Sequence, residues 1–134
     1  MKADDTVMRH DVKILVVEDD SVTRKITKAL LNEVGCQFDF ASTGKEALSA
    51  DLQKYHLVFL NICLPDIDGY EVAREIRKRE SLQNPRSGIP IIAYTACGEI
   101  VKEKCIAAGF DDFLFKPAGV KDFKRVIQRF ACTK

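Results

Sequence analysis

The sequence predicts an α/β fold: a single three-layer α/β/α sandwich on a five-stranded parallel sheet with five helices. Short apolar runs rich in β-branched residues alternate with segments of helical period, and such β-α repeats joined by right-handed crossovers make the strands parallel and cover both faces. Four of the runs stop at side chains suited to a cation or an oxyanion: Glu18-Asp19-Asp20, Asn61, Thr95 and Lys116. A chain of 134 residues buries one core and is too short for two ordinary domains.

Lys13 to Val17 is nearly all apolar, as a strand buried on both faces should be. Ser21 opens a segment with apolar residues at Val22, Ile26, Ala29, Leu30 and Val34, closed by Gly35. Phe38 to Ala41 is the second strand. Thr43 and Glu46 have capping-box spacing ahead of Ala47 and Leu48. Leu57 to Leu60 is the third strand, followed by the turn cluster Pro65, Asp66, Asp68 and Gly69. A helix over Tyr70 to Glu80 turns Tyr70, Val72, Ala73 and Ile76 inward, and Arg74, Glu75, Arg77 and Lys78 form its solvated face. The loop Ser81 to Gly88 contains Asn84-Pro85 and leads to a strand over Ile89 to Tyr94, ending at Thr95. Glu99 to Ala108 is helical and stops at Gly109. Phe113 to Phe115 is the fifth strand, cut by Lys116-Pro117. Val120, Phe123, Val126, Ile127 and Phe130 then recur at helical spacing, with Lys121, Lys124, Arg125 and Arg129 outward.

Residues 1–11 read as a tail and 12–132 as the folded domain. With 21 basic and 20 acidic residues interspersed, the chain has no basic stripe for nucleic acid. The tail lacks an apolar signal region and no run is long enough to cross a bilayer, so the expectation is a cytoplasmic protein without membrane contact. The cysteines Cys36, Cys63, Cys97, Cys105 and Cys132 are odd in number and lack C-x-x-C spacing, which argues against a disulfide framework or a zinc knuckle. His10 and His56 are isolated and read as surface residues.

In a parallel sheet, side chains at the carboxyl ends of the strands meet in one crevice, where open α/β folds place their chemistry. Magnesium there needs oxygen ligands and only one or two carboxylates. Glu18 and Asp19 supply them. Asp20 reads instead as the cap of the following helix. Lys116, at the end of an apolar strand, needs an anionic partner, either a carboxylate or a phosphoryl oxygen. Thr95 adds a hydroxyl able to donate to such an oxygen.

The runs I-L-V-V-E-D-D, L-P-D-I-D-G-Y-E, I-I-A-Y-T-A and F-L-F-K-P, in this order and spacing, resemble the receiver domains of two-component response regulators from Val12 to Phe130. The resemblance implies a flavodoxin-like, CheY-like (β/α)5 fold with strand order 2-1-3-4-5, and a regulatory domain rather than an enzyme. It implies Mg²⁺ held by Glu18, Asp19, the residue at position 61 and the backbone carbonyl of Cys63. It also implies switch residues Thr95 and Phe113, a phosphoryl-binding Lys116 and a cis peptide before Pro117. The implied partners are a histidine kinase or histidine phosphotransfer protein, an output domain or effector protein, and a second copy in a weak dimer. In the family the face of the fourth helix, fifth strand and fifth helix often carries signalling contacts. Lys102, Lys121 and Arg125 make it partly basic here.

The departure is Asn61, which falls where the family has its phosphoaccepting aspartate. A neutral carboxamide is a poor nucleophile and gives no acyl phosphate. The expectation is an inactive acceptor, with the amide oxygen left as a neutral metal ligand, weaker Mg²⁺ binding, and Lys116 turned toward Asp19. Asp66 and Asp68 read as turn and cap residues rather than surrogate acceptors. Either the chain is a natural pseudo-receiver that signals by binding, or an ordinary receiver trapped unphosphorylated by exchange of its aspartate. The otherwise intact motif set leans to the second. Both accounts leave Thr95 and Phe113 pointing apart, in the inactive arrangement. The domain is either a stand-alone regulator or a piece of a larger protein such as a hybrid kinase. A small Mg²⁺-dependent phosphotransferase or phosphatase would need a second acid two residues after a first-strand nucleophile, and a flavin binder would need a Ser/Thr/Gly-rich loop where E-D-D-S-V-T stands.

Overall fold

A computed structural model describes residues 11–83, 88–96 and 102–131. The elements run β1 (Lys13–Val17), α1 (Ser21–Val34), β2 (Gln37–Ala41), α2 (Gly44–Ser49), a 3₁₀ turn (Leu52–Lys54), β3 (Leu57–Leu60), α3 (Gly69–Gln83), β4 (Ile91–Thr95), α4 (Lys102–Ala108), β5 (Asp112–Phe115) and α5 (Val120–Phe130). All neighbouring strands are parallel and the order is β2-β1-β3-β4-β5. The expected α/β/α architecture and strand order hold. Because β1 and β3 are adjacent at the point where the strand order reverses, their carboxyl ends flank the crevice.

Alternation along the buried strands sends side chains to two separate cores. Ile14, Val16, Phe59, Ile92, Tyr94 and Leu114 meet Leu31 and Val34 of α1 and Phe123, Val126 and Ile127 of α5. Leu15, Val17, Val58, Leu60, Ile91 and Ala93 meet Ala47 of α2, Val72, Ala73 and Ile76 of α3, and Cys105 and Ala108 of α4. Phe59, Tyr94 and Phe123 pack edge to face in the first core, with centroids 5.2 to 5.9 Å apart. Full burial of each such aliphatic or aromatic side chain contributes about 1.5–3 kcal/mol, so α5 is held by three of them.

Local chemistry sets the helix ends. The Asp20 carboxylate accepts from the Thr23 N–H at 2.8 Å and caps α1, and Gly35, at φ 98°, closes it with its N–H on the Leu31 carbonyl. Thr43 accepts from the Glu46 N–H and caps α2. Glu46 reaches back to the Ser42 N–H, one residue before the cap, so the motif is a displaced capping box.

Several details differ from the sequence reading. Val22 and Ile26 are 62% and 55% exposed, and α1 buries Val34, as expected, together with Thr27 and Leu31. The helix presents this stripe because the Thr27 hydroxyl shares a 3.0 Å hydrogen bond with the buried Tyr94 phenol. β4 begins at Ile91, after Pro90, rather than at Ile89. α3 extends from Gly69 to Gln83. Arg77 is not a solvated-face residue; it is largely covered and ties α3 to the starts of β4 and β5. His10, Asn84-Pro85, Cys97, Glu99 and Cys132 lie outside the described residues.

Candidate functional site

The carboxyl ends of β1 and β3 meet where the sequence placed them. Main-chain bonds fix both: the Glu18 N–H donates to the Ala41 carbonyl and the Asn61 N–H to the Val17 carbonyl, at 2.9 and 3.1 Å. Glu18, Asn61 and Thr95 are buried, at 1%, 6% and 1% exposure, whereas Asp19 is exposed. Buried polar side chains need partners. The Asn61 amide nitrogen lies 3.3 Å from Glu18 Oε2, 3.3 Å from Asp19 Oδ1 and 3.1 Å from the Cys63 carbonyl oxygen. Its oxygen accepts from the Cys63 N–H at 3.3 Å.

Lys116 continues the β5 edge, its N–H bonded to the Thr95 carbonyl at 2.9 Å, and its peptide to Pro117 is cis. The Lys116 ammonium pairs with Glu18 Oε1 and lies 4.9 Å from the centroid of the Tyr94 ring. It had been expected on Asp19. Glu18 wins because its carboxylate is buried and would otherwise be an uncompensated charge. Glu18 Oε2 also accepts from the Asp20 N–H at 3.0 Å, so both oxygens of this acid are engaged. The Asn61 NH₂ group faces the two acids, the arrangement that avoids setting oxygen against oxygen.

Surrounding residues hold this geometry. Arg24, which the sequence reading missed, donates to the Glu18 and Asp19 carbonyls at 3.0 Å each and so clamps the β1-α1 loop. Asp20 is occupied as a cap, and the Thr23 hydroxyl and then the Thr23 N–H hold its carboxyl below the usual carboxylate range. Asp68 accepts from the Glu71 N–H and caps α3, as expected. Asp66 does not cap α3; it accepts from the Gly44 and Lys45 N–H groups at the start of α2. Burial opposes its ionisation, yet these N–H groups outweigh that and hold its pKa at about 2. Gly69 is required by close approach, since a Cβ there would lie 2.5 Å from the Asn61 carbonyl oxygen and 2.7 Å from Ile62 Cα. Phe113 is half-buried, packed on the second core with its ring 5.3 Å from that of Phe115. The Cys63 thiol is exposed.

The convergent donors are therefore all oxygens: two carboxylates and a main-chain carbonyl. Among the described residues no three His, Cys, Asp or Glu side chains cluster as a metal centre. Two acids plus a carbonyl is nonetheless the hard set that suits a partly hydrated Mg²⁺, so the donors fit that ion.

The family model for the response regulator receiver domain matches residues 14–128. This chain belongs to the response regulator receiver domain family. The receiver domain is 39% identical over 126 residues to hybrid signal transduction histidine kinase L of Dictyostelium discoideum, covering 88% of this chain and 7% of that kinase. It thus corresponds to one small segment of that relative. Among solved structures, it superposes with a TM-score of 0.78 and 35% identity on the receiver domain of a sensor histidine kinase of Pseudomonas aeruginosa PAO1, over 91% of this chain and 98% of the other. That protein holds a magnesium ion coordinated in its active site cleft. The receiver domain of Saccharomyces cerevisiae Ssk1, crystallised with the histidine phosphotransfer protein Ypd1, gives a TM-score of 0.79 at 27% identity, over 91% and 90% of the two chains. Receiver domains are regulatory domains of two-component and phosphorelay systems rather than enzymes. Among the described residues no helix of this receiver domain is long and apolar enough to cross a membrane.

Proposed function

We propose that Asn61 stands at the phosphoacceptor position of this receiver domain, which is therefore held unphosphorylated and signals by binding other proteins. One observation carries the reading: the side chain closing β3 beside Glu18 and Asp19 is a carboxamide whose nitrogen faces the acids. A carboxylate at this place would attack phosphorus through its charge, and the amide lacks one. Glu18, Asp19 and the Cys63 carbonyl are the groups that would hold Mg²⁺. When bound, that ion would neutralise phosphoryl oxygens. Its affinity is lowered by the charge missing at position 61. Thr95 and Lys116 are the phosphoryl-binding groups of the aspartate form, and Thr95 and Phe113 its switch pair. The chain is cytoplasmic, and its partner class is a histidine kinase or a histidine phosphotransfer protein, the latter being the kind of protein seen with Ssk1.

Intact mass tests this after incubation with Mg²⁺ and acetyl phosphate. The expected result is one added phosphoryl group on Asn61→Asp and none on the Asn61 chain. A phosphoryl group on the Asn61 chain, mapped to Asp19 or Asp20, would reject the reading.

A further inference from the structure

Asn61 does more in this site than lack a charge. Three oxygens, Glu18 Oε2, Asp19 Oδ1 and the Cys63 carbonyl, converge on its amide nitrogen at 3.1 to 3.3 Å. They are the oxygens assigned above to a divalent cation. Charge dictates the orientation: turning the amide over would set its oxygen against two carboxylates and its NH₂ group against the Cys63 N–H, which now donates to Oδ1. With Lys116 on Glu18 Oε1 and the Asp20 N–H on Oε2, the buried acid is fully satisfied without any ion.

We infer that the Asn61 carboxamide is an internal occupant of the cation position, so that Mg²⁺ must displace its NH₂ group rather than be held by its oxygen. The inference rests on reading Glu18, Asp19 and the Cys63 carbonyl as the cation site. It makes the resting conformation self-sufficient: the acids are hydrogen-bonded and paired from within, and Mg²⁺ enters only at concentrations that displace the amide. Missing charge and internal competition are separable effects. Aspartate at position 61 restores the charge and removes the NH₂ group, whereas alanine removes the NH₂ group and adds nothing. An amide that served as a ligand would make the alanine variant bind Mg²⁺ more weakly than the Asn61 chain; an amide that competes makes it bind more tightly.

The experiment is calorimetric titration of MgCl₂ into the Asn61 chain, Asn61→Ala and Asn61→Asp, with circular dichroism to verify folding. The expected order of affinity is Asn61→Asp, then Asn61→Ala, then the Asn61 chain, the alanine variant exceeding the Asn61 chain about threefold or more, the effect of one modest net hydrogen bond. Equal or weaker binding by Asn61→Ala, with Asn61→Asp binding well, overturns the internal-occupant inference alone. Failure of Asn61→Asp to bind Mg²⁺ overturns the cation site itself. The Asn61 chain gives a second reading that needs no variant. In NMR without Mg²⁺ the Asn61 side-chain amide protons should exchange slowly with solvent, and saturating MgCl₂ should abolish that protection. Rapid exchange before any Mg²⁺ is added overturns the inference.

Discussion

A single buried acid organises the site at the scale of residues. Glu18 is 1% exposed and is paired with Lys116, itself 13% exposed in its side chain. Taking one member from such a pair leaves the other uncompensated, which is worse than never having had either. Lys116→Met should therefore lose about 3 kcal/mol of stability, read as a lowered urea midpoint, and Glu18→Gln in the same chain should restore much of it. A double variant no better than Lys116→Met alone would show that the pair is not what stabilises this corner. The sequence revealed Glu18, Asn61, Thr95 and Lys116 because strand ends project into one crevice whatever the remaining contacts are. It did not reveal which acid takes the lysine or which way the amide turns, since both depend on burial and on neighbours distant in sequence. Arg24 was illegible for the same reason, as its partners are main-chain carbonyls that carry no residue signature.

Elements are joined here by side chains that a periodicity reads as solvent-facing. Arg77 falls on the polar side of α3, yet its guanidinium donates to the Gly109 and Ile89 carbonyls at 2.9 and 2.8 Å and to Glu80 and Asp111 at 2.8 Å each. Those two acids in turn accept from the Ile89 and Ile91 N–H groups, so one arginine registers the end of α3 against the starts of β4 and β5. Arg77→Met keeps the stem and removes the fork. It should cost about 2 kcal/mol, with amide hydrogen exchange faster at Ile89, Ile91 and Asp111 and unchanged in β1. Uniform acceleration across the sheet would instead indicate a global loss with no special role for this corner. Strands were the most legible elements because burial on both faces leaves long apolar runs. Helix faces were less so: α1 offers two apolar stripes, and only the partner of Thr27 across the core decides between them.

Ionisation acts on the molecule as a whole, through carboxylates below and phenols above their ordinary values. Asp20, Asp39 and Asp66 all have lowered pKa values: Asp20 first through the Thr23 hydroxyl, Asp39 first through the Tyr55 hydroxyl 2.7 Å away, and Asp66 by N–H groups that override burial and bring it to about 2. A group with a lowered folded pKa stabilises above its unfolded value, 3.8 for these three, and that stabilisation disappears as pH falls through the folded value. Tyrosines behave in the mirror sense. Burial first, and then the hydrogen bond to Asp39, push Tyr55 up from 10.0 to about 12, and burial raises Tyr94. Their contribution is complete below pH 10.0 and vanishes as pH rises through the folded values. Burial raises the Cys105 thiol from 9.0 in the same sense, so urea midpoints measured across pH should form a plateau from about pH 4 to about pH 9 and fall on both sides. Asp66→Asn should flatten the acid limb between about pH 4 and pH 2, and Tyr55→Phe the alkaline limb between about pH 10 and pH 12. Limbs unchanged in both variants would mean that these two groups have the same proton affinity in the folded and unfolded chain, contrary to the hydrogen bonds that surround them.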